Sequence, residues 1–189
     1  MTTTVYFIRH AESNQDNHDD FTRELSPKGL SDRQQIIDYF KGIEIAAMYS
    51  SPYKRSIDTI QPLANQKMLN IITVEDFRER KITDQWIENF DEFSKKQWED
   101  FNYKFPDGDS LNEVALRNVT ALENLLEIHV GQSIVVGSHG TALSMIINHY
   151  TGKFTFEDFN KIKGVMPWLV QFNFNGSKLI GIEHEHFRG

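Results

Sequence analysis

The chain has 189 residues, of which 39% are hydrophobic and 25% are charged, and its formal net charge is −7. These values are typical of a folded globular protein, and the acidic charge argues against nucleic acid or an anionic membrane as a partner. The absence of cysteine excludes disulfides and thiolate metal sites. Because no signal-peptide pattern and no apolar run of about 18 residues is found, we expect one cytoplasmic domain over residues 1–189.

The first predicted element is a buried strand that ends in a basic pair. Residues 5–8 (V-Y-F-I) form a short apolar run, and Arg9 and His10 follow it directly. In a parallel sheet, the residues just past the carboxyl end of a strand line the crevice where ligands bind. An arginine and a histidine at this position predict an anion site that contains a titratable nitrogen.

A polar, acidic loop is expected over residues 12–24, and a helix is expected after it. A second buried strand is predicted at 45–49 and is followed by Ser51 and Pro52. Serine before proline is typical of an N-cap with proline in the first helical turn. The helix that begins there carries Arg55 near its start, at the same edge of the predicted sheet.

A third strand is predicted at 70–74, and the segment 81–109 that follows has an unusual composition. Its aromatic residues include Trp86, Phe90 and Trp98, which lie among acidic and amide side chains. One interpretation is a helix or two that pack on the domain. The other is a lid whose aromatic side chains shape the mouth of a substrate pocket.

The second half of the chain predicts further helices and strands in alternation. Ser110 and Glu113 form a capping-box pattern at the start of a helix. A fourth strand at 133–137 ends at Ser-His-Gly (138–140), and residues 168–183 predict a closing pair of strands across an Asn-Gly turn. The alternation predicts an α/β fold, a three-layer α/β/α sandwich with a mostly parallel central sheet and an antiparallel edge strand.

Four short motifs follow one another along the chain in a recognisable order. They are R-H-A-E-S at 9–13, S-S-P-Y-K-R at 50–55, R-E at 78–79 and G-S-H-G at 137–140. Together they resemble the histidine phosphatase superfamily, whose members include the cofactor-dependent phosphoglycerate mutases. The resemblance runs from about residue 5 to the closing strands, and it implies a phosphoglycerate mutase-like fold.

The resemblance also implies a role for each motif residue. His10 would attack phosphorus as a neutral imidazole and form a phosphohistidine. Arg9 and Arg55 would bind the phosphate, because a planar guanidinium stays charged and can hold two oxygens. His139 would donate to the phosphoryl oxygens, and Glu79 would protonate the leaving oxygen and then activate water. Neither a metal nor a cofactor is required.

The phosphate site has further candidates and one departure from the family pattern. Backbone N–H groups at the helix start near Gly140 would add donors. Many relatives have an asparagine six residues after the nucleophile, where this chain has Asp16. Either Asn14 or Asn17 replaces that asparagine, or Asp16 turns outward. Arg23 lies in a run that resembles the small phosphohistidine-phosphatase branch, and it is a further candidate for anion contact.

These residues predict a metal-independent phosphatase that acts on a phosphate monoester, either a small phosphorylated metabolite or a phosphoprotein. The alternatives are phosphoglycerate mutase-type phosphoryl transfer, a phosphohistidine-protein phosphatase and a non-catalytic module that binds a phosphorylated ligand. The acidic, aromatic segment and a length below that of typical mutases favour the phosphatase. The presence of His10, Arg55 and Glu79 disfavours the binding module. The substrate and the oligomeric state stay open.

Overall fold

The computed structural model describes residues 1–85 and 87–187, with the backbone alone at 186, and in this part of the chain six strands form one mixed sheet. The strands are β1 (Thr2–Arg9), β2 (Ala47–Ser50), β3 (Ile71–Thr73), β4 (Ser133–Ser138), β5 (Trp168–Asn175) and β6 (Lys178–His186). Their order is β3-β2-β4-β1-β5-β6. The strands β1 to β4 pair in parallel, whereas β5 is antiparallel to β1 and β6 is antiparallel to β5. The predicted sheet is confirmed, and its antiparallel edge has two strands.

Helices cover both faces of this sheet. They are α1 (Pro27–Tyr39), α2 (Lys54–Lys67), α3 (Phe90–Glu99), α4 (Leu111–Ile128), α5 (Gly140–Thr151) and α6 (Phe156–Ile162). Buried apolar side chains of α1 and α2 belong to one core cluster, and most of those of α4, α5 and α6 belong to a second. A third, smaller cluster between α4 and α5 contains Leu111, Val114, Ala142 and Met145. None of the helices in the described ranges has the length and apolar character needed to cross a membrane.

The central strand β1 contributes to the core on both of its faces. Val5 and Phe7 lie in the cluster under α4 and α5, whereas Tyr6 and Ile8 lie in the cluster under α1 and α2. Successive side chains of a strand point to opposite faces, so a strand covered on both sides is apolar without interruption. By the same alternation Arg9 lies on the α5 side of the sheet.

The predicted N-cap at Ser51 is wrong. The helix α2 begins at Lys54, and Tyr53 is its N-cap. The hydroxyl oxygen of Ser51 instead accepts a hydrogen bond from the Tyr53 backbone N–H (3.2 Å) and lies 2.7 Å from His139 Nε2. The serine side chain is therefore engaged by the turn and by a histidine from another strand end.

The capping box at the start of α4 is confirmed. The Ser110 hydroxyl accepts from the Glu113 backbone N–H (3.2 Å), and the Glu113 carboxylate accepts from the Ser110 backbone N–H (2.8 Å). These two bonds satisfy donors that have no partner within the helix.

We expect Ser110→Ala to lower the free energy of unfolding by about 1 kcal/mol, because the N-terminal cap of α4 is lost. Urea denaturation followed by circular dichroism measures this difference. Ser31→Ala, on the exposed surface of α1, is the matched control and should leave stability nearly unchanged. An equal loss in both variants would contradict a capping role.

Candidate active site

Three strand ends meet at one edge of the sheet, as the motif positions predicted. The backbone N–H of His10, just past β1, donates to the carbonyl of Ser138 at the end of β4 (3.0 Å). The backbone N–H of Ser51, just past β2, donates to the carbonyl of Gly137 (3.0 Å). The main chain therefore holds the three motif segments side by side.

The His10 ring is buried and has a defined tautomer. Its Nδ1 lies 2.7 Å from the carbonyl oxygen of Ala11. A carbonyl oxygen only accepts, so Nδ1 carries the hydrogen and Nε2 keeps its lone pair. The Ala11 backbone N–H donates to the Thr59 hydroxyl (2.9 Å), and that hydroxyl donates to the Arg55 carbonyl (2.7 Å). The histidine and its loop are thereby tied to α2.

The second histidine, His139, is fully buried beside the first. The two ring centroids are 5.4 Å apart in an edge-to-face arrangement. His139 Nε2 is hydrogen-bonded to Ser51, whereas its buried Nδ1 has no partner among the described residues. Tyr53 packs edge-on against the same ring, with centroids 5.2 Å apart. Sequence reasoning missed both Ser51 and Tyr53, although they lie within the S-S-P-Y-K-R motif.

Burial lowers the pKa of His10 well below its ordinary value, and the positive charges of Arg55 and Arg9 add to this effect. The hydrogen bond to Ala11 acts in the opposite direction. Burial also lowers the pKa of His139 well below its ordinary value, again with the charge of Arg55 as the next cause. Both imidazoles are therefore neutral at pH 7, and a neutral imidazole is the form that can act as a nucleophile.

Arg55 is buried and pairs with a residue that sequence reasoning missed. Its guanidinium donates to the Asp20 carbonyl (2.7 Å) and lies 3.3 Å from the Asp20 carboxylate. The guanidinium also lies over the Tyr53 ring at 5.0 Å. Arg23 contacts the same carboxylate oxygen of Asp20 at 3.5 Å. In this structure a loop carboxylate therefore occupies guanidinium donors that a bound phosphate would use.

The loop asparagines have partners within the loop itself. Asn14 and Asn17 each donate to the Glu24 carboxylate, at 2.7 and 2.9 Å. These bonds lower the pKa of Glu24 to about 2. Arg23 donates from Nε to the Asn17 carbonyl (2.6 Å), and Asp16 is exposed, as one of the alternatives expected. Contact of Asn14, Asn17 or Arg23 with phosphate stays a prediction.

The terminal nitrogens of Arg9 have partners within the protein, and contact of Arg9 with phosphate stays a prediction. Its two terminal nitrogens donate to the carbonyls of Ile162 (2.6 Å), Val165 (3.2 Å) and Lys163 (3.1 Å). Carbonyls at the carboxyl end of a helix have no partner within the helix, so the end of α6 accepts this guanidinium. Burial lowers the pKa of Arg9 to about 10, against the opposing charge of Glu79. Of the three nitrogens of the Arg9 guanidinium, Nε is the one without a hydrogen-bond partner among the described residues.

Glu79 takes the helix donors that were expected to face phosphate near Gly140. Its carboxylate accepts from the backbone N–H groups of Thr141 (2.9 Å) and Ala142 (3.1 Å), in the first turn of α5. Gly140 has a steric role, and contact of its backbone N–H with phosphate stays a prediction. A Cβ atom there would lie 3.2 Å from the guanidinium carbon of Arg9, so glycine lets that group lie against the helix start.

The aromatic side chains of segment 81–109 that were expected to contact substrate have different surroundings. Trp86 lies outside the described residues. Trp98 is partly buried and packs against the core from α3, and its contact with substrate stays a prediction. The rings that Trp98 contacts are those of Phe101, Phe154 and Phe159. Phe90 is partly exposed with the Lys163 ammonium group 5.1 Å from its ring, and its contact with substrate stays a prediction.

The groups at this edge suit the chemistry of a phosphate ester. Two guanidinium groups place positive charge there, a neutral imidazole is able to act as a nucleophile or a hydrogen-bond donor, and a carboxylate is able to move a proton. Within residues 1–85 and 87–187 no group of three or more histidine, aspartate or glutamate side chains is placed to hold a metal ion.

Comparison with known proteins matches residues 5–178 to the histidine phosphatase superfamily, branch 1. Phosphoglycerate mutase-like protein 4 of Arabidopsis thaliana is 31% identical over 128 residues, which span 62% of this chain and 56% of that protein. The match therefore covers little more than half the length of this relative.

Solved structures share the fold at low sequence identity. YhfR of Bacillus stearothermophilus is 19% identical, with a TM-score of 0.76 over 94% of each chain. A mycobacterial glucosyl-3-phosphoglycerate phosphatase is 16% identical, with a TM-score of 0.77 over 99% of each chain. A mutant phosphoserine phosphatase from Entamoeba histolytica, in complex with phosphoserine, is 21% identical, with a TM-score of 0.76 over 95% of this chain and 96% of that one.

The lowered histidine pKa values predict a pH dependence of stability. Below about pH 6.5 the unfolded chain binds protons that the native His10 and His139 do not bind. The free energy of unfolding should therefore fall with decreasing pH, by up to about 1.4 kcal/mol per pH unit for each histidine. Denaturant titrations from pH 7.5 to 5.5 in phosphate-free buffer measure this slope.

His10→Gln should reduce the pH slope, whereas His149→Gln, at an exposed position on α5, should leave it unchanged. A slope that is the same in wild type and His10→Gln would contradict the buried, neutral imidazole.

The contact between Asp20 and Arg55 predicts competition with phosphate. We expect Asp20→Asn to bind inorganic phosphate about fivefold more tightly, because removing one charge near the anion contributes about 1 kcal/mol. Isothermal titration calorimetry at pH 7 measures the change. Asp38→Asn makes the same charge change at an exposed position near the end of α1 and should have little effect. Unchanged or weaker binding by Asp20→Asn would show that the carboxylate does not compete.

Proposed function

This chain belongs to the histidine phosphatase superfamily, and from that premise we propose that it is a metal-independent phosphatase. It would hydrolyse a phosphate monoester through a phosphohistidine on His10. The observation that carries the proposal is the pair of buried, neutral imidazoles of His10 and His139, 5.4 Å apart beside Arg9 and Arg55. These four side chains would place a nucleophile and fixed hydrogen-bond donors around one phosphoryl group.

In the first step, the lone pair of His10 Nε2 forms a bond to phosphorus while the ester P–O bond breaks. The electron pair stays with the leaving oxygen, which takes a proton from Glu79. Arg55 would exchange Asp20 for the phosphoryl oxygens and stabilise their charge. His139 would add a hydrogen bond from its unpartnered Nδ1.

In the second step, water attacks phosphorus and gives a proton to Glu79. The P–N bond breaks, its electron pair returns to His10 Nε2, and inorganic phosphate leaves. Throughout both steps the Ala11 carbonyl holds the Nδ1 hydrogen of the ring, which keeps the same nitrogen directed at phosphorus. Arg9 would act through its charge and its free Nε, because α6 holds its other nitrogens.

The proposed substrate is a small phosphorylated metabolite, with a phosphoprotein as the alternative. Enzymes for small phosphate esters are among the similar solved structures, including a glucosyl-3-phosphoglycerate phosphatase and a phosphoserine phosphatase. Phe90 would contact the organic part of the substrate as part of a lid within residues 81–109. The lack of cysteine fits a cytoplasmic location for this activity.

Mutase-type phosphoryl transfer is the second candidate, because the curated relative carries a mutase-like name. A mutase returns the phosphoryl group from the histidine to an organic acceptor, whereas a phosphatase passes it to water. The two activities differ in product: one inorganic phosphate is released per ester consumed by a phosphatase, and an isomeric ester is formed by a mutase.

We expect wild-type protein to hydrolyse an aryl phosphate with a chelator present, and His10→Ala to lose that activity because the nucleophile is gone. Rapid-quench mass spectrometry should show one phosphoryl group on the wild-type chain, lost on acid treatment. His149→Gln, at an exposed position, is the control that should retain activity. Activity that persists in His10→Ala would mean that another residue is the nucleophile, and isomerisation without phosphate release would favour the mutase.

A further inference from the structure

One side chain on α4, largely but not fully buried, binds the main chain that carries Glu79. The guanidinium of Arg117 donates to the carbonyls of Asp76 (2.9 Å) and Arg78 (2.6 Å) through one terminal nitrogen. Through the other it donates to the Glu79 carbonyl (3.1 Å) and to the Asp109 carboxylate (3.2 Å). Its side chain is only 11% exposed. Four acceptors therefore converge on one guanidinium.

The carboxylate of Asp109 connects Arg117 to the main chain at Lys81, two residues past Glu79. The same oxygen that accepts from Arg117 also accepts from the Lys81 backbone N–H (3.0 Å). The Asp109 backbone N–H in turn donates to the Lys81 carbonyl (2.7 Å). The segment that carries Glu79 is thus bound on both sides of this residue, at 76–79 and at 81.

The carboxylate of Glu79 is oriented separately from its main chain. It accepts from the backbone N–H groups of Thr141 and Ala142 in α5 and from that of Arg80 (2.7 Å). From residue 78 to residue 81 the backbone has no helix or strand geometry. The position of this main chain is consequently set by contacts with α4 and α5, and by the hydrogen bond from the Arg80 side chain to Gln97 of α3, and not by a sheet ladder.

We propose that Arg117, paired with Asp109, is a positioning residue for proton transfer by Glu79. This inference rests on the proposed function, in which Glu79 protonates the leaving oxygen. Arg117 reaches main-chain oxygens and Asp109, and it acts on the reaction through Glu79. A planar guanidinium fits this task because it directs several donors in a fixed geometry, which an ammonium group does not.

When a positioning residue is changed, the loss of rate depends on the leaving group of the substrate. When a purely structural residue is changed, the loss is the same for every substrate. A weakly basic aryl oxide departs with little help from an acid, whereas an alkoxide departs only with a proton. A misplaced Glu79 should therefore slow alkyl phosphates much more than activated aryl phosphates. A general loss of folded protein lowers all rates by the same factor.

The experiment compares kcat/KM for a series of aryl and alkyl phosphates in wild type and Arg117→Lys. We expect a loss of roughly 10²-fold for alkyl phosphates and a much smaller loss for p-nitrophenyl phosphate. Arg33→Lys is the matched control, because Arg33 also donates to backbone carbonyls, those of Leu30 and Asp58, but on α1 and α2. Asp109→Asn is the second variant, and it should show the same selective loss on alkyl phosphates. It provides the test in case Arg117→Lys does not fold.

Glu79→Gln distinguishes failure of this inference from failure of the proposed function. If Glu79→Gln loses activity selectively on alkyl phosphates while Arg117→Lys and Asp109→Asn lose it equally on all substrates, the positioning role is overturned and the phosphatase mechanism stands. If Glu79→Gln shows no leaving-group dependence, the acid assignment fails and the positioning role fails with it. The double variant with Glu79→Gln and Arg117→Lys should have a kcat/KM for alkyl phosphates no lower than that of Glu79→Gln alone. Additive losses in the double variant would also overturn the inference.

Discussion

The site depends on positive charge that is buried beside two histidines. A buried cation is stable only when hydrogen bonds or opposite charges replace its water, and the fold provides such partners for Arg9 and Arg55. With that charge held in place, adding a proton to His10 or His139 is doubly unfavourable, because the proton would be buried and would face like charge. Under the proposed function, the same arrangement that would attract an anion keeps the imidazoles in the form that can react with it.

The two arginines are neutralised by different kinds of partners. The partners of Arg9 are three backbone carbonyls at and just past the end of α6, which are neutral groups of the main chain. The partner of Arg55 is the carboxylate of Asp20, a half-exposed group on a loop. Under the proposed function, Arg9 supplies a constant charge, whereas Arg55 can exchange one anion for another at low energetic cost.

Much of the fold follows from local features of the sequence. The uninterrupted apolar run at 5–8 requires a strand buried on both faces, and the Ser110 and Glu113 pair satisfies helix donors within one turn of chain. Both features depend on residues close in sequence, so they can be predicted without knowledge of the rest of the molecule. The alternation of strands and helices then brings the motif residues to one edge, since the carboxyl ends of parallel strands meet there.

By itself, then, the sequence determined the strands, most of the helices, the sheet class and the edge at which the motifs gather, whereas the start of α2 and the short helix α6 were not predicted. Only the tertiary structure decided which atoms the motif side chains contact. Ser51 is hydrogen-bonded to His139, 88 positions away in the chain, and the terminal nitrogens of Arg9 donate to carbonyls at the end of α6. The inward packing of Trp98 and the contact of Arg117 with the main chain of Glu79 were decided in the same way. The reason is physical: periodicity and capping act over a few residues, whereas the partner of a buried polar side chain depends on which distant segments pack beside it.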